Sequence, residues 1–330
     1  MKNRVFVTGA DGMLGSMICR VLLEKSYEVT ALCLPSSNTG TLDGLNLTKV
    51  SGDILDKEFL ESAMNEHDYV IHVAAMTNVW PRRIERVKRV NIEGTKNVKD
   101  IAEKLQMKRM VYIGSASSFK EGPKTKPGNE DSGFKGDRFG MDYIDSKYHA
   151  QIELLKNFRE DGFPVIVVNP TFMIGPYDSG PSSGVMLMNL YKDKVPGYNK
   201  GGKNFVYSGD VAVAAVNALT KGRLGECYIA GSKNLEYKEF FSLASEVMGR
   251  KFKLKFIPNA IVLAFGAASS VIARIRKKAP VLSYGMAEVA QMDQYFDCSK
   301  AIKELDMPQT PIRQAIQESL DWFKKNDYLS

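Results

Sequence analysis

The chain has 330 residues and a mass of 36.7 kDa, longer than one compact core usually serves, so we expect one large domain with a smaller one attached. Its 44% hydrophobic and 25% charged residues exclude a disordered, collagen-like or fibrous protein. The net charge of +7 is scattered along the chain, which fits a mildly basic enzyme with an anionic ligand as well as a weak nucleic-acid binder.

Short β-rich runs alternate with longer helical patterns through the first half of the chain. The predicted strands are 4–8, 28–33, 47–50, 69–73, 109–113 and 164–168, and the predicted helices are 13–25, 57–65, 84–105 and 145–160. This alternation predicts repeated βαβ units and an α/β fold with a doubly wound parallel sheet. From about Thr171 the pattern loosens into Gly- and Pro-rich segments. We therefore expect a first domain over 1–169 and a smaller C-terminal α/β lobe mainly over 170–330, with some interleaving.

A glycine-rich turn, TGADGMLG, follows the first predicted strand. Gly9, Gly12 and Gly15 are spaced as GxxGxxG at the opening of a helix, where glycines let backbone amides approach a pyrophosphate at the positive helix end. A purely structural strand-to-helix turn is the alternative. The position directly after an N-terminal strand favours a Rossmann-type dinucleotide site. The other loop residues assigned to this site are Asp11, Met13 and Leu14.

The end of the second predicted strand is where such folds distinguish NAD from NADP. An acid there accepts both ribose hydroxyls of NAD, and a basic residue pairs with the 2′-phosphate of NADP. Cys33 and Leu34 do neither, so the missing acid favours NADP(H) only slightly. Leu34 and Ser36 are assigned to the cofactor site. Ser36, Ser37 and Thr39 have the chemistry to bind a phosphate, with ordinary turn residues as the alternative.

Two further segments carry candidate site residues. Asp53, followed by Ile54 in SGDILD, is a candidate partner for the adenine amino group, and a helix N-cap near Asp56 is the alternative. Tyr143 and Lys147 in YIDSK lie one helical turn apart. A tyrosine with a pKa of about 10 is a poor base, but a neighbouring ammonium and a cationic nicotinamide favour its phenolate and let it exchange protons with a carbinol. A tyrosine ring packed on a lysine stem is the alternative.

Seven motifs in order resemble the extended short-chain dehydrogenase/reductase family over nearly all of the chain. They are TGADGMLG (8–15), GDILD (52–56), HVAA (72–75), VNIEGT (90–95), VYIGSAS (111–117), YIDSK (143–147) and NPTFMIGP (169–176). The resemblance implies an NAD(P)-dependent enzyme, and it places Ala74 and Ala75 against the cofactor and Pro170 and Thr171 beside the nicotinamide.

The resemblance also implies a catalytic set. Tyr143 would be the acid/base and Lys147 its tuning partner, and Ser115 would hold the substrate oxygen. Ser115, Ser117 and Ser118 all follow the same predicted strand, so Ser117 is the reserve candidate, and any of the three could instead cap the following turn.

Within the family, the second half of the chain looks closest to a branch that includes dihydroflavonol reductases and 3β-hydroxysteroid dehydrogenases. Nucleotide-sugar epimerases and dehydratases commonly carry an Arg-Asp pair where this chain has Lys203-Asn204. Dehydratases also carry an acidic pair where Ala116 and Ser117 stand. We expect hydride transfer between nicotinamide and a secondary alcohol or ketone of a bulky, apolar small-molecule substrate. The alternatives are a nucleotide-sugar epimerase with tightly bound NAD and a non-catalytic dinucleotide-sensing protein.

Some residues near the predicted site fit an apolar substrate, with ordinary core packing as the alternative for each; these are Trp80, Met141, Phe172, Met186 and Met188. The segment 257–275 is nearly all apolar or small and ends in RIRKK. It falls short of a stable membrane span and favours a buried or lobe-covering helix. Peripheral membrane contact through 257–278, or a portal for a hydrophobic substrate, is the alternative.

The remaining expectations concern surroundings and partners. Cysteines without CxxC spacing and an N-terminus without a signal-peptide core predict reduced thiols and a cytoplasmic location. The three histidines show no ligand spacing, so no metal site is expected. We expect no nucleic-acid partner and, from family-like helices over 84–105 and 145–160, a homodimer. The GxSxG match at 180–184 is not expected to be a hydrolase nucleophile, because no strand precedes it and no histidine follows His149.

Overall fold

The computed structural model describes residues 2–329. Its strands are β1 (Arg4–Thr8), β2 (Glu28–Cys33), β3 (Thr48–Ser51), β4 (Tyr69–His72), β5 (Arg109–Ile113), β6 (Val165–Pro170), β7 (Phe172–Ile174), β8 (Gly197–Tyr198), β9 (Gly202–Tyr207), β10 (Cys227–Ala230), β11 (Lys233–Glu236), β12 (Lys255–Phe256) and β13 (Asp293–Gln294). Its α-helices are α1 (Met13–Glu24), α2 (Lys57–Met64), α3 (Glu85–Lys88), α4 (Thr95–Lys104), α5 (Asp142–Asp161), α6 (Val185–Tyr191), α7 (Ser208–Asn217), α8 (Tyr237–Val247), α9 (Asn259–Arg276), α10 (Tyr284–Ala290), α11 (Ser299–Glu304) and α12 (Ile312–Lys325).

Seven parallel strands form the central sheet in the order β10-β6-β5-β4-β1-β2-β3. Val/Ile-rich strands suit this position because both faces of the sheet are covered. One apolar cluster joins the sheet to α1 and α7, and a second joins its other face to α2, α4 and α5. The predicted α/β fold with a doubly wound parallel sheet is confirmed. The strand order reverses between β1 and β4, which places a crevice at their carboxyl ends.

The observed bounds differ from the predicted ones where distant residues intervene. Strand β6 runs to Pro170 rather than 168 because Asn169 and Pro170 pair with Ile229 and Ala230 of β10. Helix α5 begins at Asp142 rather than 145. The predicted helix 84–105 is interrupted by a π-helical turn, Arg89–Gly94, between α3 and α4.

The second lobe is built around β9, which pairs antiparallel with β11 and parallel with β7 and β13. Helices α8 and α12 cover this sheet through a separate apolar cluster. The chain then returns to the first lobe, because β10 completes the central sheet and α7 packs against α1. The boundary after Asn169 stays a prediction, and the two lobes interleave along the sequence.

Helix α9 lies on the surface of the second lobe. By length and composition it is the one helix within residues 2–329 that could cross a membrane, and 17% of it is buried. Of the two expected placements, the buried one was therefore wrong, and the helix lies on the lobe surface instead. The fully buried residues of α9 form a narrow face of small side chains, Gly266, Ser270 and Ala273, and Val262 and Leu263 are half-buried.

Candidate active site

A cleft of about 550 Å³ opens at the carboxyl end of the central sheet, between the two lobes. It brings together side chains from the ends of β1 to β6, which are far apart in the sequence. The predicted site residues that line it are Gly9, Asp11, Gly12, Met13, Leu14, Gly15, Leu34, Asp53, Ile54, Ala74, Ala75, Ser115, Tyr143, Lys147, Pro170 and Thr171. Within the described chain, no group of three His, Cys, Asp or Glu residues is placed to hold a metal ion.

The glycine loop fits a pyrophosphate. Gly9 has a left-handed φ of 63°, and a Cβ on Gly15 would lie 2.1 Å from the Gly9 carbonyl oxygen. Only glycine satisfies both requirements, so α1 can begin close against the end of β1. No side chain caps α1 and no acid lies in its first turn. The free amides and the positive helix end therefore face the cleft as an anion site.

The adenosine end of the cleft differs from expectation at one residue. Ser36 does not line it, because a turn in which the Ser37 amide donates to the Leu34 carbonyl at 3.0 Å leaves Ser36 exposed to solvent. Asn38 and Arg86 line this end instead, and the sequence analysis singled out neither. The Arg86 guanidinium is exposed and makes no hydrogen bond or ion pair with the residues that the structure describes.

The two readings of the SGDILD segment apply to different residues. Asp56 is the N-cap of α2, because its Oδ1 accepts the Phe59 amide at 3.0 Å. Asp53 accepts only the Leu55 amide, also at 3.0 Å, and it lines the cleft. Asp53 is therefore free to accept a hydrogen bond from a bound ligand through its second oxygen.

The buried side chain of His72 links β1 and β4 at the crevice through hydrogen bonds. The Thr8 hydroxyl lies 2.7 Å from His72 Nδ1 and accepts the amides of Val73 and Ala74 at 3.1 Å. His72 Nε2 lies 3.0 Å from the Thr95 hydroxyl. Burial lowers the pKa of His72 to about 3, so the ring is neutral and bonds through one donor and one acceptor nitrogen. This network fixes Ala74 against the glycine loop.

Ser115 and Tyr143 meet in the cleft. Ser115 follows β5, Tyr143 lies in the first turn of α5, and both residues line the cleft. Burial raises the pKa of Tyr143, and the Ser115 hydrogen bond opposes this rise. Ser117 Oγ lies 2.8 Å from Ser115 Oγ but is not part of the cleft lining. The Ser118 hydroxyl is buried without a partner among residues 2–329.

Lys147 lies one turn beyond Tyr143 and is buried. Its Nζ donates to the Ile113 carbonyl at 2.7 Å and lies 4.9 Å from the centre of the Tyr112 ring. No carboxylate of residues 2–329 pairs with it. Burial therefore lowers the pKa of Lys147 to about 7. Nζ is placed to donate further hydrogen bonds into the cleft.

Two buried asparagines position these groups, and the sequence analysis did not name them as site residues. Asn91, in the π-helical turn, bonds the backbone of Met76 at 2.8 and 3.0 Å and the Ser146 hydroxyl at 2.9 Å. It ties one cleft wall to the helix that carries Tyr143. Asn169 donates to the Ser115 carbonyl at 3.1 Å. The sequence signal that could have identified both residues is their position within a family motif, VNIEGT for Asn91 and NPTFMIGP for Asn169.

The second lobe closes the cleft with the loop between β7 and α6. Asp178 is buried in this loop and accepts the amides of Ser182 at 3.0 Å and Gly184 at 2.9 Å. Burial raises the pKa of Asp178, and these hydrogen bonds oppose the rise. No strand leads into Ser182, so the GxSxG match is not a hydrolase nucleophile.

The apolar residues expected beside the site do not line the cleft; they are Trp80, Met141, Phe172, Met186 and Met188. Met141 is buried in a small cluster, and Phe172, Met186 and Met188 pack against the core of the second lobe. Core packing is therefore the role of these four residues, and Trp80 is half-buried outside the cleft lining. The apolar side chains that do line the cleft near Tyr143 include Met76 and Met173.

The family model described as NAD dependent epimerase/dehydratase family matches residues 5–231, more than half of the chain. A Synechocystis protein provisionally named dihydroflavonol 4-reductase is 29% identical over 336 residues, covering 100% of this chain and 97% of its own length. Sterol demethylase protein B of Methylococcus capsulatus is 24% identical, covering 97% and 98%. A 3 beta-hydroxysteroid dehydrogenase/Delta 5-->4-isomerase of Mycobacterium tuberculosis is 24% identical, covering 97% and 90%.

Several solved structures have the same fold as this chain. The structure titled gox2253 has a TM-score of 0.87 at 28% identity and covers 100% of both chains. The Thermus thermophilus UDP-glucose 4-epimerase in complex with NAD has a TM-score of 0.78 at 19% identity, covering 97% of this chain and 99% of its own. With a glycine loop that fits a pyrophosphate and a Ser-Tyr-Lys set in one cleft, this chain belongs to the NAD dependent epimerase/dehydratase family, the extended short-chain dehydrogenase/reductases, and is an NAD-binding oxidoreductase.

Proposed function

We propose that the protein moves a hydride between a nicotinamide cofactor and a secondary alcohol or ketone of a bulky, apolar substrate, of dihydroflavonol or 3β-hydroxysteroid type. The observation that carries the proposal is the convergence of Ser115, Tyr143 and Lys147 in the cleft that the uncapped N-terminus of α1 also faces. The names of the three relatives supply the substrate class, since they refer to a dihydroflavonol, a sterol and a steroid.

The second lobe favours an apolar substrate over a nucleotide sugar. Lys203, which stands where epimerases commonly carry a diphosphate-binding arginine, does not line the cleft. Its Nζ donates to the Gln294 side chain and lies 5.1 Å from the centre of the Phe172 ring. Burial lowers the pKa of Lys203 to about 8, so the amine is still mostly protonated at pH 7, and its position outside the cleft is what keeps it from a bound ligand. A diphosphate would therefore find no free cation at this position.

Each member of the set has a separate task. When bound, the nicotinamide supplies the hydride for reduction or accepts it in oxidation. Tyr143 donates its phenol proton to the substrate oxygen in reduction, and its raised pKa keeps the phenol protonated at neutral pH. Ser115 hydrogen-bonds the same oxygen as negative charge develops there. The ammonium form of Lys147 would hold the ribose hydroxyls of the cofactor, and it favours the phenolate left by proton transfer.

Replacing Tyr143→Phe tests the mechanism. We expect turnover of NADPH with an apolar ketone to fall by at least about 100-fold, because the general acid is lost. The dinucleotide Kd, measured by calorimetry, should stay within about threefold because the cofactor contacts remain. Tyr148→Phe is the control, since Tyr148 stacks on Phe134 at 3.9 Å outside the cleft lining. Turnover by Tyr143→Phe at the wild-type rate would sink the mechanism.

Acid extraction of the purified protein separates the alternatives. Exchangeable cofactor with net consumption of NADPH supports the reductase. A retained NAD, with turnover of a nucleotide sugar and no added cofactor, would show the epimerase instead. Dinucleotide binding without turnover of ketones, steroids, flavanonols or nucleotide sugars would favour the sensor.

The cofactor preference is a proposal of its own. Cys33 and Leu34 present no acid to the adenosine ribose, and the free guanidinium of Arg86 lines the same end of the cleft, so we propose NADP(H). Arg86→Ala should lower NADPH affinity by about tenfold, as expected for the loss of a charge-assisted hydrogen bond, and leave NADH affinity unchanged. Arg89→Ala is the control, because Arg89 pairs with Glu93 and does not line the cleft. Equal losses for both cofactors would contradict the proposal.

A further inference from the structure

Helix α9 has two opposite faces. The narrow face is attached to the protein: the Ser270 hydroxyl accepts the Tyr284 amide at 2.9 Å, and a Cβ on Gly266 would lie 2.8 Å from the Ala287 Cβ of α10. Gly266, Ser270 and Ala273 are spaced by four and three residues, so they form one stripe. The helix is therefore held lengthwise on the second lobe and does not project from it.

The opposite face is apolar and bare. The exposed fractions are 58% for Ile261, 52% for Phe265, 56% for Val271, 48% for Ile272 and 77% for Ile275. At about 100° per residue, these positions lie on the side of the helix away from α10. Phe256 before the helix and Val281 after it are also exposed, at 57% and 89%. A contiguous apolar surface of this kind marks a docking surface rather than a random exposed side chain.

The same segment carries positive charge only. Between Glu246 and Glu288 the sequence holds eight Lys and Arg residues and no Asp or Glu. They lie at both ends of α9 and are Arg250, Lys251, Lys253, Lys255, Arg274, Arg276, Lys277 and Lys278. None of the eight forms an ion pair with a residue of the part of the chain that the structure describes. Arg250 donates to the Tyr191 carbonyl at 2.6 Å, and the positive charge of the segment is not neutralised by any acid of residues 2–329.

We propose that the bare face of α9, with its flanking cations, docks on a bilayer surface that contains anionic phospholipids. An apolar helix face lying in the plane of the interface inserts about 5–10 Å into the headgroup and acyl boundary. Each Lys or Arg near an anionic surface strengthens the attraction to it. The lengthwise attachment to α10 suits this orientation and does not suit a helix that spans the membrane.

A second copy of the chain fits this surface poorly. A symmetric contact through α9 would bring two sets of eight cations together with no acid between Glu246 and Glu288 to neutralise them. Like charges at an interface oppose association, whereas an anionic bilayer complements both the charge and the apolar face. The docking surface consists of α9 and its flanking cations and does not depend on the proposed substrate.

Vesicle co-sedimentation of the full chain tests the proposal. We expect binding to vesicles of phosphatidylcholine with 30% phosphatidylglycerol that is at least about tenfold tighter than to pure phosphatidylcholine, and that weakens at 0.5 M salt. Phe265→Glu/Ile272→Glu should abolish binding. Replacing the four cations Arg274, Arg276, Lys277 and Lys278 by Gln should weaken binding to the anionic vesicles by at least about tenfold.

Matched controls come from other surfaces. Ile302→Glu changes an apolar residue of α11 that is 37% exposed. A quadruple change to Gln removes four exposed lysines that make no ion pair with described residues: Lys120, Lys126, Lys135 and Lys238. Both controls should bind vesicles like the wild type. Absence of vesicle binding, or equal losses in control and test variants, would overturn the proposal. So would conversion of a vesicle-free dimer to a monomer by Phe265→Glu/Ile272→Glu in light scattering.

Discussion

At the residue scale, Lys147 is a buried cation without a carboxylate partner. Its only polar contact within residues 2–329 is the Ile113 carbonyl at 2.7 Å, and burial lowers its pKa to about 7. The unfolded chain holds the same lysine at a pKa of about 10.4. Between these values the unfolded state binds more protons than the folded state, so this group makes stability rise with pH from about 7 to about 10.4.

Lys147→Met should therefore stabilise the protein while it weakens catalysis. The variant removes a buried charge and keeps a side chain of similar length, so its melting temperature should exceed that of the wild type by several degrees at pH 7. Above pH 7 the buried lysine is neutral in the folded state, and the unfolded chain loses its own proton only towards pH 10.4. The destabilisation of the wild type therefore fades over this range, and the difference in melting temperature should shrink towards pH 10. Thermal unfolding followed by circular dichroism across this pH range measures it. A difference that stays constant with pH would contradict the depressed pKa.

The serine that touches the reacting oxygen also belongs to the residue scale. Three serines follow β5, and counting from the strand end favours Ser115 over Ser117 without excluding either. The three-dimensional arrangement places Ser115 in the cleft lining together with Tyr143, whereas Ser117 lies outside the lining and contacts Ser115. The distinction depends on where α5 packs against β5, and that packing is not a local property of the SASS segment.

At the element scale, the start of α1 decides whether a dinucleotide can bind. Gly15 provides the close approach of helix and strand, and Gly12 stands at the N-cap, where a Cβ would have only an ordinary contact of 3.6 Å with the Gly9 carbonyl oxygen. The two glycines thus serve different purposes. Gly15 lets the helix pack, and Gly12 keeps the amides open to an anion.

Gly15→Ala and Gly12→Ala should separate these purposes. Gly15→Ala must displace α1 from β1, so we expect a loss of several degrees in melting temperature and loss of dinucleotide binding. Gly12→Ala should keep its melting temperature within about 2 °C and lose dinucleotide affinity by at least about tenfold, because its methyl group enters the anion site. Calorimetry and thermal unfolding give the two readouts. Equal destabilisation by both variants would show that the loop is only a structural turn.

At the scale of the whole molecule, the predicted homodimer would use the outer faces of α4 and α5. Ile152 on α5 is 39% exposed and would become buried across a two-fold axis. We expect light scattering to give twice the chain mass of 36.7 kDa. Ile152→Glu should give a monomer, since it places two carboxylates at the contact, whereas Ile302→Glu on α11 should not. A wild-type monomer at micromolar concentration would refute the dimer. The cytoplasmic location stays a prediction.

The order of strands and helices and most of the cofactor loop follow from local sequence patterns. Alternating apolar runs and GxxGxxG are local patterns, and β1, β2 and β5 have the predicted bounds because their own side chains dictate them. Other features depend on contacts between residues that are distant in the sequence, so they are visible only in the folded structure. Strand β6 lengthens because β10 pairs with it, Ser36 leaves the cleft while Asn38 and Arg86 enter it, and Asn91 and Asn169 become positioning residues.

The placement of helix α9 likewise depends on tertiary structure, although its helical conformation is evident from the sequence. The apolar side chains of α9 favour removal from water. A protein core, a partner protein and a bilayer can each provide such an environment. Only the packed structure shows which residues of α9 are buried. The small residues Gly266, Ser270 and Ala273 are buried, and Ile261, Phe265 and Ile272 are exposed. Burial is a property of the assembled lobes, because it depends on which surfaces remain after every other element has packed.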